Sequence, residues 1–484
     1  MTADTVCDVN GLNGGLFYGF IQAGFTATSR AGYLDLGRSI INANHHLFPG
    51  DWIDDITPAL NGEDSWREWP VHHQSRVVCA VPPCSGFSGM TGLGGAKSAE
   101  RPNIDHKSNA CMWKTARYAS RHSPDVYLFE SVTGAYKIGR SMMVALRDEM
   151  ELLTGEPYTL THWLHDGIAF GAPTSRQRAL FVMCKGSRPF AVPHLERHVV
   201  PQITTLADAI GDLEGLEIKM AEQPLQHVPG VSGEWAKERR RDDGLVDGHW
   251  HEKSIWLTRV MNTLDMGEAI GEPWTQGESI TVIMKAVYDA LGRDGMVQLM
   301  GGEQQADVVI RREFNFGAFA GGREAYDGAC SLITGGGAIS HVHPVEQRAM
   351  TYRELARVQG WPDSLIMDFD TKIYGVENIK ACWGKAVTPV VGRHTADVVS
   401  SWLADRDLGR DGTWHGDMTP GELIGNREWL IDDLAASRHL RAQSSKARSR
   451  RRVKHRARES DRLAGLVLAA RSERESVASY ENVI

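Results

Sequence analysis

No apolar run in this chain approaches the roughly 18 residues of a membrane-spanning helix. The first residues, Met1-Thr2-Ala3-Asp4, carry no basic segment leading into an apolar one. Neither a membrane span nor a secretory leader is expected. Cysteine is scarce: seven scattered residues in 484, with no Cys-x-x-Cys pair. That argues against a disulfide-stapled secreted domain and for reduced thiols in a cytoplasmic setting. The pairs His45-His46 and His72-His73 and the triplet His249-Trp250-His251 lack patterned partners, so no metal is expected. Positive charge is short as well. The net charge of -8 does not announce a nucleic-acid binder. One segment is the exception: from Arg438 to Arg462 there are eleven Lys or Arg against Glu459 and Asp461. Such a run neutralises phosphates without reading sequence, or is simply a solvated basic helix or tail.

What is present is a globular composition, 42% hydrophobic and 24% charged. A chain of this length holds two or three lobes. The first 190 or so residues alternate short apolar runs with helical patterns. This predicts an α/β fold with a doubly wound, mostly parallel sheet. Strands are expected at Thr5–Val9, Thr26–Arg30, Arg76–Val81, Val126–Glu130 and Ala179–Cys184, and helices at Leu16–Ala23, Tyr33–Asn44 and Ser141–Leu153. Thr204–Leu213 reads as a short helix. From there to about Ile339 the chain is Gly-rich and weakly periodic, the mark of a separate irregular lobe. Helices return at Thr351–Gln359 and Pro389–Leu403. The division expected is 1–215 and 341–404 for the sheet domain, 216–340 for the irregular lobe, and 405–484 for a basic C-terminal extension.

Sheets of this kind bind ligands at the carboxyl ends of their strands. Cys84, in Val81-Pro82-Pro83-Cys84-Ser85-Gly86, follows such an end, presented by two prolines and a small-residue turn. Glu130 of Glu130-Ser131-Val132 follows another. Arg176-Gln177-Arg178 places two guanidinium groups at i and i+2, which point the same way on a strand and can hold an oxygen acceptor. The turn Asp8-Val9-Asn10-Gly11-Leu12-Asn13-Gly14-Gly15 joins the first strand to the first helix, either to admit a cofactor to the backbone or merely to turn tightly. Each signal is weak alone; their order is the information.

That order, followed by Thr351-Tyr352-Arg353-Glu354-Leu355 through Gln359-Gly360-Trp361-Pro362-Asp363 and then Gly384-Lys385-Ala386-Val387, closely resembles the DNA (cytosine-5) methyltransferase family, from about Asp8 to Leu403. The resemblance implies a catalytic set of Cys84, Glu130, Arg176 and Arg178. Cys84 would add to C6 of a flipped cytosine, so that C5 becomes nucleophilic. Glu130 would act at N3, Arg178 at O2, and Arg176 would orient the thiol and backbone. The segment Gly86 to Arg101 looks like the family's closing loop, and the irregular lobe like its target-recognition domain. The implied donor is S-adenosylmethionine, set against Asp8, Asn10, Gly11, Gly14, Gly15, Tyr33, Asp55, Pro82, Lys385 and Ala386. Double-stranded DNA is the implied partner, with a separate restriction endonuclease an open one; a monomer is expected.

The departures fall on the donor side. Asn10 stands where the family usually has Phe, Leu12 where it has Gly, Gly32 where it has an acid, and Lys385 where it has Asn. Neutral drift explains this, or a changed donor: the Lys385 ammonium suits a carboxylated S-adenosylmethionine, which would yield carboxymethylcytosine. A transfer-RNA cytosine methyltransferase and a catalytically inactive DNA-binding homologue are the remaining readings.

Overall fold

The computed structural model describes residues 4–9, 14–31, 43–53, 67, 71, 73–88, 103–193, 199–213, 294, 297, 326–330, 333, 350–366, 384–385, 387–409 and 418–445. The expected helix at Tyr33–Asn44 lies almost wholly outside them. The chain divides into two units. The first comprises Met1–Glu217, Ala329–Gly336 and Tyr352–Arg441; the second comprises Ile218–Gly328, Gly337–Thr351 and Ala442–Ile484. Nearly all described residues belong to the first. Among them no helix is long and apolar enough to cross a membrane.

The first unit is built on β1 (Thr5–Val9), β2 (Thr26–Ala31), β3 (Asp51–Ile53), β4 (Val77–Ala80), β5 (Val126–Ser131), β6 (Tyr158–Asp166), β7 (Gln177–Lys185), β8 (Val192–Pro193), β9 (Met418–Thr419), β10 (Glu422–Gly425) and β11 (Glu428–Asp432). Nine of these form one sheet in the order β10-β11-β6-β7-β5-β4-β1-β2-β3, and β8 pairs with β9 separately. In the large sheet only β7, against both neighbours, and the β10–β11 hairpin run antiparallel. β4, β5 and β6 are buried along their whole length, as strands covered on both faces must be. β1 pairs with β2 on one side and β4 on the other, so the chain reverses its strand order there. That switch point, with its crevice at the strand carboxyl ends, is where the Asp8 turn and the Cys84 turn both emerge.

Among the described residues there are six α-helices: α1 (Gly15–Gln22), α2 (Ala110–Ser120), α3 (Thr133–Thr154), α4 (Leu206–Ile210), α5 (Tyr352–Val358) and α6 (Pro389–Asp407). α6 starts as expected, on Pro389 after the Thr388 cap, and runs past Leu403 to Asp407. α3 begins at Thr133 rather than Ser141, because its first turns are needed for packing despite two glycines of low helix propensity. A Cβ on Gly134 would lie 2.1 Å from the carbonyl oxygen of Phe87, and one on Gly139 would lie 2.6 Å from its ring. Phe87, three residues past Cys84, is thereby sunk into α3 and joins Met112, Met142, Met143 and Phe129 in the core.

α1 and α6 meet backbone to backbone. A Cβ on Gly19 would sit 2.1 Å from the carbonyl carbon of Gly392, and one on Gly392 2.7 Å from the Leu16 carbonyl oxygen. Backbone cannot rotate away from such a contact. Gly19→Ala is therefore expected to lower stability by about 1–3 kcal/mol, read as a reduced Tm; an unchanged Tm would show that the helices separate freely.

Residues from 405 onward begin differently from the basic extension expected. Up to Arg441 they belong to the first unit, and they supply β9, β10 and β11. The hairpin is gripped by one face of α3. Arg140 forks onto Glu428 at 2.7 and 2.9 Å and bonds the Ile424 carbonyl. Arg147 donates to the Asn426 carbonyl at 2.7 Å, and Glu151 pairs with Arg427. His162 of β6, fully buried, completes the junction at 2.7 Å from Glu428 Oε1. Burial holds His122 and His162 down at about 4 and His165 at about 3. Each is neutral when folded and takes a proton when unfolded below about pH 6.5. Their stabilisation is whole above that pH and is lost as pH falls from there toward 4 for His122 and His162 and toward 3 for His165, each adding a slope of up to about 1.4 kcal/mol per pH unit. A Tm that stays flat from about pH 7 to 5 would contradict this.

Candidate active site

Cys84 leaves β4 through Val81 and the buried Pro82 and precedes a single 3-10 turn, Ser85–Phe87. The turn is fixed on three sides. Phe87 is locked into α3 as described. The Gly86 N–H donates to Ser108 Oγ at 2.9 Å, and the Gly86 carbonyl accepts from Asn103 N at 2.9 Å. Asn109 lies so close that a Cβ on Gly86 would reach within 2.2 Å of its Oδ1. The thiol itself is half-buried. Burial raises its pKa, and the Glu130 charge raises it further; Arg178, Arg176 and the Val132 backbone N–H act the other way. One thiol thus senses all three other members of the set read from the sequence.

Glu130 and Arg178 are held by sheet register. β5 runs antiparallel to β7 with Glu130 opposite Leu180, so Arg178 is the diagonal neighbour on the same face. Arg178 Nε stands 2.9 Å from Glu130 Oε1, and Glu130 is 2% exposed. The N–H is not aligned for a regular hydrogen bond, so the contact is an ion pair. Arg176 lies just before β7, also buried, and donates through Nη1 to the carbonyls of Gly384 at 2.8 Å and Ile333 at 3.3 Å. Burial and Arg178 pull it down to about 9, which leaves it cationic at neutral pH. Its Gly384 contact ties this cluster to the last sequence motif, where Lys385 is exposed.

On the donor side the structure describes Asp8, Gly14, Gly15, Pro82 and Lys385; Asn10, Gly11, Tyr33, Asp55 and Ala386, with Leu12 and Gly32, lie outside the described residues. Asp8 is the middle of a row across three strands, with Arg30 of β2 on one side and Cys79 of β4 on the other. Burial pushes its carboxyl up to about 7, against the pull of Arg30 and of the Cys79 thiol 3.7 Å away. Gly14 has φ +79, and its missing Cβ would strike Phe48 at 2.5 Å; that of Gly15 would strike the Val387 carbonyl at 2.0 Å. These glycines serve the chain's own packing. They leave the first N–H groups of α1, which a helix cannot satisfy itself, at the switch-point crevice. A buried carboxyl and a row of backbone donors fit a polar nucleoside-bearing donor. The Trp361-Pro362 motif supports the same turn from behind: Trp361 stacks on Tyr18 of α1 at 5.5 Å and meets Phe48 edge-on.

Sequence reasoning missed the supports: Phe87 with its two glycines, the Val132 N–H, and Asp166, which organises the Arg176 turn. A Gly-x-x-x-x-Gly spacing at Gly134 and Gly139 in a helix was the available signal for the first.

Residues 11–401 match the family model of the C-5 cytosine-specific DNA methylases. The type II methyltransferase M.DdeI of Desulfomicrobium norvegicum is 21% identical over 409 residues, covering 82% of this chain and 89% of that one. The type II methyltransferase M.AgeI of Thalassovita gelatinovora is 22% identical over 445 residues, covering 82% and 98%. Among solved structures, a prophage-encoded protein of E. coli described as a DNA modification methyltransferase superposes with a TM-score of 0.51 at 18% identity, over 83% of this chain and all of that one. At that identity the superposition speaks for the fold alone; the family rests on the model match across most of the chain. This chain belongs to the C-5 cytosine-specific DNA methylase family.

Proposed function

We propose that the protein transfers a one-carbon group to C5 of a cytosine flipped out of double-stranded DNA, through a covalent bond between Cys84 Sγ and C6. The observation that carries this is the Cys84–Glu130–Arg178 cluster, in which a half-buried cysteine, a buried carboxyl and a guanidinium lie together. Sγ attacks C6, the C5–C6 π bond opens, and its electrons form the C4–C5 double bond of an enamine. Glu130 supplies a hydrogen bond or proton at N3, which drains charge from the ring as the C–S bond forms. Arg178, oriented by Glu130, meets O2, and Arg176 holds the neighbouring backbone. After C5 has been alkylated its proton leaves, the C–S bond breaks and aromaticity returns. S-adenosylmethionine, when bound, supplies the electrophilic carbon. Asp8, Gly14, Gly15, Pro82 and Lys385 among the described residues would border it, with Asn10, Gly11, Tyr33, Asp55 and Ala386.

A duplex hides both faces of a stacked base, so the cytosine must be extruded, at a cost of a few kcal/mol. We assign recognition of the flanking sequence to residues 216–340, and the protein to the cytoplasm of a bacterial or phage-infected cell as a monomer, with a restriction endonuclease as an open partner.

The test is nucleoside mass spectrometry of DNA from cells expressing the chain, against Cys84→Ala. Wild type should yield 5-methylcytosine and the variant none; equal yields would sink the proposal. A second donor reading rests on Lys385, whose preceding carbonyl is bound by Arg176 and whose ammonium suits a carboxylated S-adenosylmethionine. It expects carboxymethylcytosine from wild type and its loss in Lys385→Asn; a product indifferent to that change rules it out.

A further inference from the structure

We infer that Arg441, from the C-terminal segment outside the family match, is a positioning residue for the catalytic arginines. This rests on the proposed function for its kinetic meaning, but its geometry stands apart. β6 ends on Asp166, which is fully buried. Its Oδ1 accepts from Arg176 N at 2.8 Å and Ile168 N at 3.3 Å, and its Oδ2 from Ser175 Oγ at 2.9 Å. One carboxylate therefore sets the turn that delivers Arg176 and, two residues on, Arg178. Arg441 Nη1 meets that carboxylate at 2.9 Å. It is the cation facing Asp166 among the described residues.

Arg441 is itself built in. Nη1 also donates to Ser437 Oγ at 2.8 Å, and Nη2 to the Leu434 carbonyl at 2.8 Å. The adjacent Leu440 is fully buried against Ile168 and Ala329. The line of contact runs from Arg441 through Asp166 to the Arg176 backbone, and from the Arg176 side chain to Gly384. A buried carboxylate stripped of its cation is left uncompensated and turns toward another donor, which weakens its grip on the Arg176 N–H. The arginines then shift relative to Cys84, whose pKa they hold down.

The experiment compares wild type, Arg441→Met and Arg441→Lys by three readouts: iodoacetamide alkylation of Cys84 followed by peptide mass spectrometry, kcat, and Kd for DNA. Arg441→Met should slow Cys84 alkylation about threefold or more near pH 8, because the thiol loses cationic support. It should lower kcat by about 10-fold or more while Kd moves by less than about twofold. Arg441→Lys keeps the charge and should recover most of both. Wild-type alkylation and kcat in a folded Arg441→Met protein would overturn the inference, as would a raised Kd with kcat intact, the mark of a phosphate contact. If Arg441→Met does not fold, the lysine variant decides: loss as severe as expected for methionine would overturn it. An inactive wild type would count against the proposed function alone, since the alkylation comparison reads Arg441 without turnover.

Discussion

Cys84→Ala is expected to abolish turnover, by a factor of about 10⁴ or more, with DNA affinity and Tm nearly unchanged. Removing the nucleophile leaves the base with no route to an activated C5, since a neutral cytosine ring is a poor carbon nucleophile and no neighbouring group replaces the C–S bond. A factor of 10⁴ corresponds to about 5.4 kcal/mol of transition-state stabilisation. The structural cost is small because the thiol is half-buried, and its turn is fixed by Phe87, Gly86 and Ser108 rather than by sulfur. Steady-state kinetics, DNA titration and thermal melting on one preparation separate these effects. A variant that keeps more than about 1% of wild-type turnover would remove Cys84 from the mechanism.

Glu130→Gln is expected to move two readouts in opposite directions. Turnover should fall by about 10²–10⁴, because an amide cannot pass a proton to N3. The thiol should become more reactive. The Glu130 charge is the second-largest influence raising the Cys84 pKa, after burial. Its removal leaves Arg178 and Arg176 opposed by burial alone, so the thiolate fraction grows and alkylation of Cys84 near pH 8 quickens. Mass spectrometry of the Cys84 peptide reads this cleanly, since the other described cysteines, at 7, 79, 111, 184 and 330, are buried. Slower alkylation together with slower turnover would mean that Glu130 merely holds the local structure.

That Cys84 and Glu130 come to one edge of the sheet was legible because each follows an apolar run that announces itself as a strand. Val77–Ala80 and Val126–Phe129 are continuous apolar runs, and the residues after them had to emerge at one sheet edge. The position of Arg178 beside Glu130 was not legible, since it depends on antiparallel register between β5 and β7, and composition does not fix register. β6 is absent from the sequence expectations although Tyr158, Leu160, His162 and Leu164 alternate with Thr159, Thr161, Trp163 and His165 as a strand should. Its histidines and threonines made it look polar, yet every residue is buried, because the sheet continues past it to β11.

That continuation was the larger miss. Pro420-Gly421 precedes a short hairpin and Asn426-Arg427 makes its turn. The turn residues carry the expected backbone signature, Gly421 at φ 82 and Arg427 at φ 52. On the donor side the glycines were legible as a turn. Their physical cause, contacts with Phe48 and Val387 from distant parts of the chain, was not.

The covalent bond itself is the most direct test. Duplex DNA carrying 5-fluorocytosine within the target sequence offers C6 to attack but denies the final step, because fluorine does not leave as a proton does. With donor present, the adduct should accumulate. After nuclease and protease digestion, mass spectrometry should find the base attached to the peptide containing Cys84, with no adduct from Cys84→Ala. An adduct on another residue, or full turnover of ordinary DNA with no trapping on the fluorinated duplex, would contradict the account.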